Sequence, residues 1–229
     1  MECSLYYEER GHGIPLVLLH GNGEDGTYFV HQMAYFSTSY RVIAVDTRGH
    51  GKSPRGSAPF TMDQFADDLR AFFDQRSIDR AIVLGFSDGA NIAMKFALRF
   101  PERVRALILN GGNLNAGGVK RTVQIPVEIG YRIAALFARR SAEAARKAEI
   151  LGLMVHEPDI PAEQLTEIRV PTLVIAGDRD MIKDSHTREI AACIPQARLV
   201  ILPGDHFLAN RRPDAFNRAV EEFLDRLEA

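Results

Sequence analysis

Six short apolar runs punctuate the chain: LVLL (16–19), VIAV (42–45), AIVLG (81–85), VRALILN (104–110), TLVIAG (172–177) and RLVIL (198–202). They are rich in Val, Ile and Leu and do not alternate apolar with polar residues. Strands covered on both faces read this way, which points to a parallel sheet between two helix layers. Stretches with apolar residues at helical spacing lie between the runs. Residues 62–75 place Phe65, Leu69, Phe72 and Phe73 on one side, with Asp67, Asp68 and Arg70 elsewhere. Residues 88–100 form a second such stretch, which stops before Pro101. Residues 185–194 and 213–227 are two more. The alternation predicts an α/β fold with a doubly wound, mostly parallel sheet. SLYYEE (4–9), ahead of the Gly-His-Gly turn at 11–13, is expected to add an early antiparallel strand.

One block breaks this rhythm. From Asn113 to about Thr166 no strand is visible. The block opens GGNLNAGGVK, continues as a helix-like YRIAALFARRSAEAARKAEILGLMV and ends HEPDIPAEQL. We expect residues 1–112 and 166–229 to form the core, and residues 113–165 an inserted helical lid. Gly111, Gly112, Gly117 and Gly118 at its start are candidate hinge positions.

The chain has 229 residues, enough for one domain, and a net charge of −2. That charge offers no concentrated basic face for nucleic acid or an anionic membrane. No apolar run is long enough to span a bilayer. Cys3 and Cys193, far apart in sequence, do not form a disulfide framework. The N-terminus lacks a basic segment followed by an apolar one, so a cytoplasmic location is expected. No metal-ligand cluster and no dinucleotide-binding glycine pattern is present, so neither a metal nor another cofactor is expected.

The chemistry concentrates at four places. In AIVLGFSDGANIAMKFAL (81–98), Ser87 stands between Gly85 and Gly89, with a strand-like run before it and a helix-like run after. A nucleophile on so tight a strand-to-helix turn needs small neighbours two positions away. The helix start would also aim the backbone N–H of Asp88 at a reacting carbonyl. LLHGNGEDG (18–26) ends the first core strand in a glycine-rich loop. The N–H of Asn22 is the candidate for the second donor to an oxyanion. Seven histidines are available as a base. His206, in LPGDHFLANRRP beyond the last strand, lies in a loop that converges on the same sheet edge as Ser87. His20 and His50 read as turn residues, and His156 and His186 fall in the lid and at a helix start. A carboxylate must hold that histidine, and TLVIAGDRDMI (172–182) offers Asp180, with Asp178 as the alternative.

Together LLHGNG, VIAVDTRGHGKS, GFSDGA, IAGDRDMI and PGDHF resemble the motifs of the α/β-hydrolase fold superfamily, in family order and over nearly the whole chain. The resemblance implies a catalytic set of Ser87, Asp180 and His206, with the acid three positions after Gly177. It implies an oxyanion hole from the N–H groups of Asn22 and Asp88. It makes the stretch from Asp46 to Ser53, with His50, a structural turn. A serine at the elbow disfavours the dehalogenases and epoxide hydrolases of this fold, which use aspartate. Two positions depart from the usual pattern. Asp205 precedes the histidine where glycine is common. Asp88 follows the serine where Met or Gln is common, a feature shared with some small esterase-like members.

The expected function is hydrolysis of a small or medium carboxylic ester, a small-molecule substrate, through an acyl-enzyme. The same residues would also serve thioesters, lactones, amides, perhydrolysis or carbon–carbon cleavage. A low-turnover binding protein on the same scaffold is the rival reading.

Overall fold

The computed structural model describes residues 4–228. Seven strands form one sheet: β1 (Tyr7–Arg10), β2 (Pro15–Leu19), β3 (Arg41–Val45), β4 (Ala81–Phe86), β5 (Val104–Asn110), β6 (Thr172–Gly177) and β7 (Ala197–Leu202). Their spatial order is β1-β3-β2-β4-β5-β6-β7. All pairs are parallel except β1 with β3, where Tyr7 lies opposite Val45. The early antiparallel strand is therefore present, but its partner is β3 and not the strand that follows it directly. Cys193 is a free thiol, while Cys3 lies outside the described residues.

The runs lack polar alternation because both faces of the sheet are covered. Leu16, Leu18, Ile82, Leu84, Ile108 and Ile175 point to one face. There they meet α1 (Val30–Phe36) and α8 (Pro213–Glu228), through Met33, Phe36, Phe216 and Val220. Val17, Leu19, Val83, Leu107, Leu109 and Val174 point to the other. They pack under α2 (Met62–Gln75), α3 (Asp88–Arg99) and α6 (Asp184–Cys193), through Phe65, Leu69, Phe96 and Ile190. Successive side chains of a strand face opposite ways, so an unbroken apolar run feeds two cores at once. The edge strand β7 is only half-buried.

Two helices lie between β5 and β6: α4 (Arg121–Phe137) and α5 (Ala142–His156). The sequence reads residues 131–155 as one helix-like run, but the structure divides it. Ser141 caps a new helix by accepting from the N–H of Ala144 at 3.2 Å, a favoured way to satisfy a helix start. A short helix, α7 (Leu208–Arg211), completes the fold. The two short helices α1 and α7 are not apparent in the periodicity of the sequence.

Candidate active site

The C-terminal ends of β4, β6 and β7 bring three distant side chains together. Ser87 sits at the turn from β4 to α3 with φ 54° and ψ −118°, a region that non-glycine residues rarely occupy. The turn closes only because its flanks lack side chains. A Cβ on Gly89 would lie 2.0 Å from the Leu19 carbonyl oxygen, and one on Gly85 would lie 2.2 Å from that of Gly89. Ser87 also donates its N–H to the Asn110 carbonyl on β5 at 2.8 Å, which fixes the apex.

His206 Nε2 lies 3.0 Å from Ser87 Oγ, and His206 Nδ1 lies 2.7 Å from Asp180 Oδ1. A carboxylate accepts, so Nδ1 carries the proton and Nε2 is left to accept from the serine. Asp180 is held in turn by the N–H of Ile182, which donates to Oδ1 at 2.9 Å. Both Asp180 and His206 are buried. Gly111, with φ +64°, packs against this histidine: a Cβ there would stand 2.8 Å from His206 Cε1. At Gly118 a Cβ would meet the His186 ring at 2.3 Å. These two glycines serve close packing.

The other candidates separate cleanly. Asp178 accepts from the N–H of Gly204 at 3.0 Å and braces the β6 and β7 loops, away from His206. His20 Nδ1 donates to the Gly21 carbonyl at 2.8 Å while Nε2 accepts from the N–H of Thr47 at 3.0 Å. Burial lowers its pKa to about 4, so it is a neutral pillar of the turn. His50 Nδ1 lies 3.0 Å from the Arg48 carbonyl and 3.1 Å from Thr47 Oγ1, and burial lowers its pKa as well. His186 Nε2 accepts from the N–H of Leu114 at 2.9 Å, and His156 lies edge-on to Tyr131. Asp205 accepts from the N–H of Phe207 and pairs with Arg211 at the surface. The departure from the usual glycine is thus met by a surface ion pair.

The N–H groups of Asn22 and Asp88 have no protein acceptor among the described residues. Their side chains carry a feature that the sequence reading missed. Asn22 Nδ2 donates to Asp88 Oδ2 at 2.7 Å and to the Ile150 carbonyl of α5 at 2.9 Å. Asp88 is buried, and desolvation pushes its carboxyl up to about 6 against the pull of the Asn22 hydrogen bond. Glu24, two positions after Asn22, is likewise raised to about 6, mainly by burial, while it accepts from the N–H of Gly21 at 3.2 Å. An acid next to the glycines of the loop was the only sequence signal for it. Phe86, before the serine, stacks flat on Tyr28 at 4.3 Å and lies 4.8 Å from the His206 ring. It covers one side of the His206 ring with aromatic surface.

A cavity of about 890 Å³ does not contain the Ser87 row. It lies between the inserted helices and the loop after β3, lined by Arg55, Phe60, Tyr131, Arg146 and Glu149 among others, and includes Ile150, whose carbonyl accepts from Asn22. Among the described residues no group of His, Cys, Asp and Glu is arranged to hold a metal ion. No helix among them is long and apolar enough to cross a membrane.

Comparison with known proteins places this geometry in a family. A model of the alpha/beta hydrolase fold matches residues 14–129. The chain is 30% identical over 257 residues to the RutD protein of Azorhizobium caulinodans, named for carbamate hydrolysis, with 99% of this chain and 97% of that protein covered. It is 29% identical over 257 residues to the 3-oxoadipate enol-lactonase 2 of Acinetobacter baylyi, covering 98% of this chain and 94% of that one. Among solved structures, the enol-lactonase of Burkholderia xenovorans superposes with TM-score 0.82 at 25% identity, over 97% of each chain. A thermophilic esterase of Thermogutta terrifontis shares the fold with TM-score 0.85 at 24% identity, over 99% of this chain and 95% of that one. The chain belongs to the α/β-hydrolase fold family, and it is a hydrolase of that family.

Proposed function

We propose that the protein is a serine hydrolase acting on small or medium carboxylic esters and lactones. The observation that carries this reading is the row Asp180–His206–Ser87, hydrogen-bonded from end to end at 2.7 and 3.0 Å. His206 Nε2 takes the hydroxyl proton of Ser87, and Oγ attacks the substrate carbonyl carbon. The N–H groups of Asn22 and Asp88 receive the negative charge on the carbonyl oxygen. The protonated His206 returns its proton to the leaving alcohol, and an acyl-serine remains. Water then gives a proton to Nε2 and attacks the acyl carbon, and Nε2 passes that proton to Ser87 Oγ as the acid leaves. Asp180 holds the ring in the tautomer that this relay needs.

Lactones join esters in the proposal because relatives of both fold and sequence are named as lactonases. A lactone is an ester whose leaving alcohol stays attached, so the same steps serve it. We further assign residues 113–165 the role of a lid, supported by the contact of α5 with the Asn22 loop.

The test is hydrolysis of p-nitrophenyl acetate and butyrate, with a simple γ- or δ-lactone beside them, by the parent and by Ser87→Ala. Turnover in the parent that vanishes in the variant supports the reading. Equal turnover in both would reduce the elbow to a turn.

A further inference from the structure

Asp88 needs a reason. A carboxyl group is costly to bury, and this one has no ion-pair partner among the described residues. What it has is the Asn22 carboxamide at 2.7 Å and, more weakly, that of Asn91 at 3.4 Å. Asn22 spends its second amide proton on the Ile150 carbonyl of α5. One side chain therefore joins three separate pieces of chain: the loop after β2, the start of α3, and the inserted helices. The loop and the helix start are also the pieces that carry the two free N–H groups.

The chain of bonds continues beyond Asp88. Asn91 Nδ2 donates to Asn113 Oδ1 at 3.0 Å, and the N–H of Asn113 donates back to Asn91 Oδ1 at 2.9 Å. Asn113 lies where the backbone leaves the sheet for the insertion. The network thus grips the insertion at its beginning and again at Ile150, with the nucleophile helix between. Leu153 anchors α5 in the core, but the other polar contacts that hold the helix are more exposed. Arg55 and Glu149 form a bidentate pair at 2.6 and 2.9 Å that is more than a third exposed on each side. Arg146 reaches the Gly49 carbonyl at 3.3 Å. Water and salt weaken such contacts. The cavity of about 890 Å³ beside α5 leaves the helix unsupported along that flank.

We propose that Asn22 is a positioning residue that makes docking of α5 and assembly of the oxyanion donors a single event. With α5 docked, its carboxamide is fixed at both ends and its own backbone N–H is held opposite that of Asp88. With α5 lifted, the Ile150 carbonyl is lost, the amide is anchored on one side only, and the donor pair loosens. The site is then fully competent only when covered. This rests on the serine-hydrolase reading above.

The test is a double-mutant cycle on p-nitrophenyl butyrate hydrolysis, with Asn22→Ala, Glu149→Ala and the double variant. Asn22→Ala is expected to lower kcat about tenfold with KM changed less than about threefold, since the donors act mainly on the transition state. Glu149→Ala is expected to lower kcat about threefold in the parent background and to have no further effect once Asn22 is gone, the non-additivity of coupled residues. Asn22→Asp, which keeps the volume and loses both amide donors, repeats the test should the alanine variant fold poorly in a thermal melt. Effects that simply multiply, or a parental kcat in both Asn22 variants, overturn the proposal while leaving the hydrolase reading intact. A parent that neither hydrolyses the ester nor reacts with a fluorophosphonate at Ser87 removes both.

Discussion

The sheet and the two inserted helices are built on opposite terms. Strands β4 and β6 are buried along their whole length. They present Ser87 and Asp180 from backbone that side-chain packing holds on both faces. Helix α4 instead leaves Ile129, Ile133 and Leu136 exposed at 54%, 56% and 74%. Helix α5 buries Leu153 in the core and otherwise meets it through one partly exposed ion pair, the Arg146–Gly49 contact and one shared amide. The ion pairs repeat the contrast. Arg48 and Asp68 lock the turn after β3 to α2 with side chains 1% and 8% exposed, whereas Arg55 and Glu149 are 35% and 38% exposed. Ser87 and Asp180 thus stand at the ends of fully buried strands, while the inserted helices are the more exposed part.

Four probes test this contrast, in falling order of effect. Ser87→Ala should cut kcat by roughly 10⁴- to 10⁶-fold, as losses of a triad nucleophile do, with an unchanged far-ultraviolet spectrum. No mutation in α4 or α5 should approach that figure. Gly89→Ala should be the most damaging single methyl group in the protein. Its Cβ would stand 2.0 Å from the Leu19 carbonyl oxygen, so the loss of stability in urea should exceed about 3 kcal/mol. Adding a methyl at Gly130 in α4, where the nearest contact is 3.3 Å to the end of Leu151, should cost far less.

The third probe removes one partner from each ion pair. Asp68→Ala leaves the Arg48 charge buried and should cost about 3–5 kcal/mol. Glu149→Ala should cost no more than about 1 kcal/mol. Similar costs at the two sites would erase the distinction between core and insertion. The fourth is a pH effect at the seam. Asp88 is raised to about 6 in the fold, by burial first and by Glu157 in smaller part, against the attraction of His206. The folded state therefore binds the extra proton between the ordinary aspartate value and about 6. Over that window Asp88 makes the parent lose stability as pH rises, a contribution that Asp88→Asn lacks while that of Glu24 remains in both. The advantage of the variant should grow from pH 4 to pH 6 and then level off. A constant difference across the series would contradict the raised carboxyl.

How legible each part was follows from the same contrast. The strands could be read because two-sided burial leaves a plain compositional mark, as in AIVLG. Ser87, Asp180 and His206 could be read because strand order and loop position bring them to one edge; the position of Asp180 further into its loop favoured it over Asp178, and the superfamily resemblance agreed. The structure places Asp178 on the N–H of Gly204, a role no spacing announces. The break between α4 and α5 was hidden because Ser141 is a weak mark amid strong helix formers. The Asn22–Asp88–Ile150 bridge was invisible for a different reason. It joins residues 66 and 128 positions apart, and a polar side chain in a loop reads as solvated until the fold buries it.

The most direct test of the account is to trap the nucleophile. The protein would be treated with a fluorophosphonate, weighed intact and digested to find the modified peptide. The account predicts a single adduct per chain, on Ser87 and absent in His206→Ala. An unmodified chain, or an adduct at another residue with Ser87 untouched, would contradict it.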